Sequence, residues 1–220
     1  PIEFLIFNKP ELKSSSTSSL PKAKLFPSPA GKIISRTGWN VGKESTDMMV
    51  ELNLKEYQLD SHDHYDAGSF QIYYKGYLAV DSGYYQSVRT GNPLANEGNS
   101  MFWSLHHYNY HRRTVAHNCM LVYNPNEPVS EYISGVVPEG YVNDGGQRYP
   151  VRYSRTMKDN FDSGDVKRGS ILGYEFGDDV NDPEYTYMKG DLTDFYTKSV
   201  EDYERTFMFL NFNDIDYPGA

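Results

Sequence analysis

Val50, Leu52 and Leu54 alternate with polar residues along Met49-Val50-Glu51-Leu52-Asn53-Leu54, and Phe70, Ile72 and Tyr74 repeat the pattern farther on. A two-residue period puts these side chains on one face of an extended chain, the pattern of a half-buried strand. No segment carries an apolar helical period over three turns, so the ordered stretches must find their backbone partners in other strands. The composition agrees: 20 Tyr, 11 Phe and 2 Trp supply strand formers, while 18 Gly and 12 Pro supply turns. Candidate strands are 31–36, 48–54, 69–74, 77–80, 119–123, 170–176 and 203–210, with Lys75-Gly76 as a two-residue hairpin turn. No internal repeat is present. The expectation is an all-β chain, an antiparallel β-sandwich, with no helix longer than about three turns.

Residues 1–30, which include the low-complexity run Ser14-Ser15-Ser16-Thr17-Ser18-Ser19, read as a linker or irregular lead-in, and residues 31–220 as one β-sandwich domain. The chain begins Pro1-Ile2-Glu3 without Met, and it stops soon after the apolar run Phe207-Met208-Phe209-Leu210. It therefore reads as a fragment of a longer polypeptide, truncated at the C-terminus. No apolar run reaches the roughly 18 residues of a membrane span, and the start lacks the basic and apolar regions of a signal peptide. A net charge of −9 argues against a nucleic-acid partner. The basic clusters Arg112-Arg113 and Arg148, Arg152, Arg155 and Lys158 suit a solvated strand face as well as an anion site. The single cysteine, Cys119, excludes an internal disulfide and is read as a packing residue.

All six histidines fall between His62 and His117, and the first two stand as His62-Asp63-His64. On an extended segment both can reach one site, and imidazole and carboxylate are ligands of zinc and its neighbours. The competing reading is a hydrogen-bonded surface loop. If Lys75 and Gly76 form the hairpin turn, Phe70 lies opposite Asp81 and His64 is six residues farther out. Local pairing then does not join His64 to Asp81, so the chain must bend back at Asp66-Ala67-Gly68, and His117 must arrive by long-range pairing. Asp66 is either a partner that orients a ligand imidazole or a turn residue before Gly68. The string His62-x-His64-x-Asp66 also resembles the start of a dinuclear metallohydrolase signature. That signature wants a histidine where Ala67 stands, and interleaved helices that this chain lacks. The acidic run Gly177 to Asp182 reads as a solvated turn and not a calcium loop.

Three blocks carry a resemblance: His62-Asp63-His64-Tyr65-Asp66-Ala67-Gly68-Ser69-Phe70-Gln71-Ile72-Tyr73-Tyr74-Lys75-Gly76, then Ala79-Val80-Asp81-Ser82-Gly83, then Arg113-Thr114-Val115-Ala116-His117-Asn118. They are similar to the heparinase II/III family of polysaccharide lyases, from about Leu59 to Pro125. The resemblance implies an N-terminal α/α toroid, outside this chain, joined to a C-terminal antiparallel β-sandwich. It implies β-elimination of uronic-acid-containing glycans, glycosaminoglycans among them, and a periplasmic or secreted protein. It further implies zinc held by His64, Asp81 and His117, with His62 facing the uronate as an accessory catalytic group. The principal catalytic tyrosine and histidine would belong to the toroid, leaving this fragment inactive alone. Tyr110, Arg112 and Arg113 are candidates for contact with substrate sulfate or carboxylate, and His106, His107 and His111 share their long loop. The alternative within the same fold is a non-catalytic, zinc-stabilised carbohydrate-binding module.

Overall fold

The computed structural model of the chain describes residues 15–40, 42–58, 63–82, 107–129, 142–148 and 156–211. Among these, the first sheet runs β1 (Ala23–Phe26), β2 (Lys32–Arg36), β3 (Met48–Asn53), β4 (Ser69–Tyr74) and β5 (Tyr77–Ala79), hydrogen-bonded in that order and antiparallel throughout. The second runs β6 (Ser170–Glu175), β7 (Tyr185–Asp191) and β8 (Glu204–Leu210), also antiparallel. Helix is confined to short turns and to α1 (Met157–Asp162), whose start is fixed by a reciprocal capping box between Thr156 and Asp159. The chain is an antiparallel β-sandwich, as its alternating pattern requires. None of its helices is long and apolar enough to cross a membrane, among the described residues.

The two inner faces meet over a core of Ile33, Leu52, Leu54, Ala67, Met188, Leu192, Phe195 and Tyr196. Fully burying a side chain such as Ile33 or Met188 contributes roughly 1.5–3 kcal/mol, so this layer carries much of the fold's stability. A buried hydroxyl pair, Ser35 Oγ to Thr186 Oγ1 at 2.8 Å, spans from β2 to β7, and Phe70 on β4 meets Phe207 on β8 edge-on at 5.8 Å. Because Ile33, Ser35, Val50 and Leu52 point inward, the alternation turns Ile34, Glu51, Asn53, Ser69 and Gln71 to the outer face of the larger sheet.

Three details differ from the sequence expectation. Strand β1 begins inside the stretch read as lead-in. Strand β7 escaped the pattern because its inward positions are Thr186, Met188 and Gly190, two of which are not large and apolar. The segment 119–123 is extended but is no strand: Val122 N donates to Gly145 O at 2.7 Å, and Met120 O accepts from Tyr196 Oη at 2.8 Å, so its partners are a loop and a side chain. The hairpin at Lys75-Gly76 is present, with Lys75 at φ 56°, and a bulge between Ile72 and Tyr73 leaves Ile72 opposite Ala79. The ladder ends there, so the expected pairing of Phe70 with Asp81 does not form, and the Phe70 backbone groups turn to another partner.

Candidate metal centre

His64, Asp81 and His117 converge beside β4, each on a different segment, with their ligand atoms all within 4.8 Å of one another. Two of the three segments lack regular structure, so side-chain and loop hydrogen bonds must hold them. Beyond the short ladder to β5, the edge of β4 at Phe70 is capped by the Asn118 carboxamide. Phe70 N donates to Asn118 Oδ1 at 2.9 Å and Asn118 Nδ2 donates back to Phe70 O at 2.6 Å, so the side chain stands in for a strand neighbour. This sets His117, the preceding residue, against the sheet. Gln147 does the same for Ala67, accepting from its N–H at 3.1 Å and donating to its carbonyl at 2.8 Å. Tyr65 N donates to Arg112 O at 2.8 Å, Thr114 Oγ1 donates to Tyr65 O at 2.8 Å, and Ser82 donates from both N and Oγ to Ala116 O. Each candidate ligand thus has an immediate neighbour tied to another ligand's segment. The bend expected at Asp66-Ala67-Gly68 is there, with Gly68 at φ 83°.

Within the cluster, Asp81 lies between the two rings. Its Oδ1 is 2.8 Å from His117 Nδ1 and its Oδ2 is 3.5 Å from His64 Nδ1, while the ring centroids are 5.2 Å apart. The side chains of His117, His64 and Asp81 are 0%, 17% and 38% exposed, a gradient from the buried imidazole to a half-open carboxylate. The 2.8 Å approach lacks the alignment of a hydrogen bond, and neither ring nitrogen of His117 has a hydrogen-bond partner although both are buried. A buried imidazole whose nitrogens make no hydrogen bond is costly. Two imidazoles converging on one carboxylate are arranged as ligands around a shared cation would be. Two imidazoles and one carboxylate form a donor set suited to zinc and similar divalent ions. The residues fit a metal. A small cleft lined by Asp66, Ser69, Gln71, Asp81, His117 and Asn118 opens beside it.

Sequence reasoning missed the group beneath the site. Lys55 Nζ lies 2.6 Å from Asp63 Oδ1 and 2.8 Å from Asp66 Oδ1, and it also donates to the His64 carbonyl. Burial would lower the Lys55 pKa, but Asp66 and Asp63 outweigh it and hold the ammonium above its ordinary value. Burial would likewise raise the Asp66 carboxyl, yet Lys55, with His117 and His64 adding to it, holds the group below the usual carboxylate range. Asp66 therefore neither hydrogen-bonds a ligand ring nor closes an Asx-turn. Its oxygens go to Lys55 and to Asn53 Nδ2 at 3.3 Å.

The remaining candidates separate. Arg113 is buried and forks onto Asp144 at 2.9 and 2.7 Å, and Arg112 is buried with Nη2 3.4 Å from Tyr65 Oη. Both guanidiniums lie over the Tyr65 ring, at 5.2 Å for Arg112 and 4.7 Å for Arg113. Tyr110 is half-buried on a single π-type turn, His107–His111, closed by Arg112 N donating to His107 O at 3.3 Å. His107 and His111 are both buried. His62, His106, Arg152 and Arg155 lie outside the described residues. Arg148 donates to Asp194 O at 3.0 Å and Lys158 pairs with Asp162. The Cys119 thiol is pushed up to about 12, chiefly by burial and then by the charge of Asp66, which leaves it unreactive.

A search of curated proteins gave no match. Residues 30–135, a stretch that contains Lys55 and all three candidate ligands, match the family described as Heparinase II/III-like, C-terminal. By that match this region, just under half of the chain, is similar to the C-terminal part of heparinase II/III-like proteins.

Proposed function

We propose that this sandwich is the metal-bearing part of a polysaccharide lyase that cleaves uronic-acid-containing glycans by β-elimination, and that zinc is the ion held by His64, Asp81 and His117. The observation that carries the reading is the convergence of these three donors, with neither His117 nitrogen hydrogen-bonded, inside the stretch that matches the family. Such a lyase removes the proton at C5 of a uronate and expels the sugar linked at C4. It must neutralise the carboxylate, supply a base and protonate the leaving oxygen. The principal acid and base are assigned to a helical toroid elsewhere in the parent protein. In this chain His62 is assigned to the uronate as an accessory group and Tyr110 to a substrate contact. The inward partners of Arg112 and Arg113 make them supports for Tyr65 and Asp144 before they are substrate ligands. Held by His64, Asp81 and His117, zinc would supply a fixed positive charge and a tie between the three segments that carry them. A polymeric extracellular substrate makes a periplasmic or secreted location the natural one.

The dinuclear hydrolase is disfavoured by Asp66, whose carboxylate is committed to Lys55 and Asn53 and so is not offered to a second ion. The test is to purify the parent protein with its toroid and the present chain alone. Each is assayed for metal content and for the ultraviolet absorbance of unsaturated uronate products on heparin, heparan sulfate and alginate. The reading expects about one zinc per molecule in both preparations, with product formed only by the parent. Robust turnover by the isolated chain would displace the catalytic centre into the sandwich. Absence of metal from both would remove the zinc assignment, and absence of uronate products from the parent would leave a carbohydrate-binding module.

A further inference from the structure

Lys55 stands at an unusual point of the backbone. It follows the end of β3, adopts φ 54°, and is pinned from below because Leu54 N and Lys55 N both donate to Gly31 O, at 2.9 and 3.2 Å. Gly31, itself at φ 60°, has no side chain to obstruct this: a Cβ there would stand 3.0 Å from Lys55 N. From that fixed root a side chain only 12% exposed runs to the loop 63–66. An ammonium has three protons to donate, and the loop presents three oxygens to it: Asp63 Oδ1, the His64 carbonyl and Asp66 Oδ1. The two carboxylates are steadied from their far sides, Asp63 Oδ2 by Gln58 Nε2 at 3.1 Å and Asp66 Oδ2 by Asn53. The His64 imidazole, on the same loop, faces Asp81 and His117.

The charges around the centre also have a simple relation. Asp63, Asp66 and Asp81 supply three negative charges and Lys55 one positive, leaving the balance that one divalent cation neutralises. Without the ammonium, two half-buried carboxylates would face each other across the loop that presents His64.

Building on the metal reading, we propose that Lys55 is the positioning residue of the centre: it gathers the 63–66 loop around its ammonium, holding His64 in ligand geometry, and sets the local charge for a divalent ion. The bare alternative is an ion pair that stabilises the fold and does nothing for the metal. A second alternative is that a nearby ammonium simply repels the cation.

Zinc affinity measured by competition with a chromophoric chelator, together with the visible absorption of the cobalt(II)-loaded chain, separates these. Lys55→Met is expected to weaken zinc binding by about 10–100-fold, the usual effect of losing a group that orients ligands, and to alter the cobalt spectrum. Ser35→Ala is the control. It removes the buried hydroxyl pair with Thr186 between β2 and β7, destabilising the fold away from Lys55 and the 63–66 loop, and it should leave affinity and spectrum unchanged. Should Lys55→Met fail to fold, Asp66→Asn interrogates the same contact, with zinc binding about tenfold weaker expected. Wild-type affinity in Lys55→Met, or in Asp66→Asn where that is the variant measured, overturns the positioning role while leaving the metal centre intact. Tighter binding in Lys55→Met shows repulsion and overturns it too. A wild-type chain that binds neither zinc nor cobalt overturns the metal reading, and the role of Lys55 falls with it.

Discussion

At the scale of single residues, His62 and His64, separated only by Asp63, are expected to have different duties. His64→Ala removes a proposed ligand, so it should lower both bound zinc and melting temperature, because ligation energy is coupled to folding. His62→Ala should leave both nearly unchanged and, in the toroid-containing parent, lower the turnover number at saturating substrate. Metal analysis with differential scanning calorimetry reads the first pair of effects, and steady-state kinetics the last. Cys119 supplies an independent check. With its thiol pushed to about 12 it should resist alkylation by iodoacetamide at pH 8 in the native chain and react promptly on denaturation. The cluster of His64, Asp81 and His117 was singled out through the family resemblance, because their spacing alone does not bring them together. Lys55, Asn118 and Gln147 were not, since a lysine after a strand and two carboxamides acquire their roles only from which backbone groups the fold leaves unpaired.

At the scale of elements, the site depends on carboxamides doing what strands do elsewhere. Gln147→Ala would strip a hydrogen bond from each of the buried Ala67 peptide groups, at a cost of about 2–6 kcal/mol if each group costs about 1–3, less what the carbonyl keeps from the Cys119 thiol at 3.5 Å. Chemical denaturation should report that loss, and the zinc affinity should fall with it because Ala67 lies in the bend between His64 and β4. The alternating runs in β3 and β4 announced themselves, and so did the hairpin into β5. Strand β7 did not, because Gly190 sits where a larger side chain would collide with Leu54, and Thr186 is inward to bond Ser35. Packing against the opposite sheet selected these residues. Alternation within one strand cannot reveal a choice made by its neighbour.

At the scale of the whole molecule, the all-β class followed from period and composition, whereas the assembly of the centre from segments around 64, 81 and 117 followed from long-range pairing that no local pattern encodes. The core that joins the sheets also carries a pH signature. Burial raises the Tyr196 phenol above its ordinary value of 10, with Tyr203 and Cys119 adding to the effect. Its contribution to stability is therefore complete below pH 10 and is lost as the pH rises through the higher folded-state value. The wild-type chain should lose stability to urea above pH 10 more steeply than Tyr196→Phe, which lacks the ionising group. The central claim concerns the three donors and one ion. Diffraction from crystals of the zinc-loaded chain on either side of the zinc absorption edge tests it directly. The account predicts one anomalous peak, about 2.0–2.2 Å from a nitrogen of His64, an oxygen of Asp81 and a nitrogen of His117; no peak among these residues, or a peak bound elsewhere with the three side chains turned away, would contradict it.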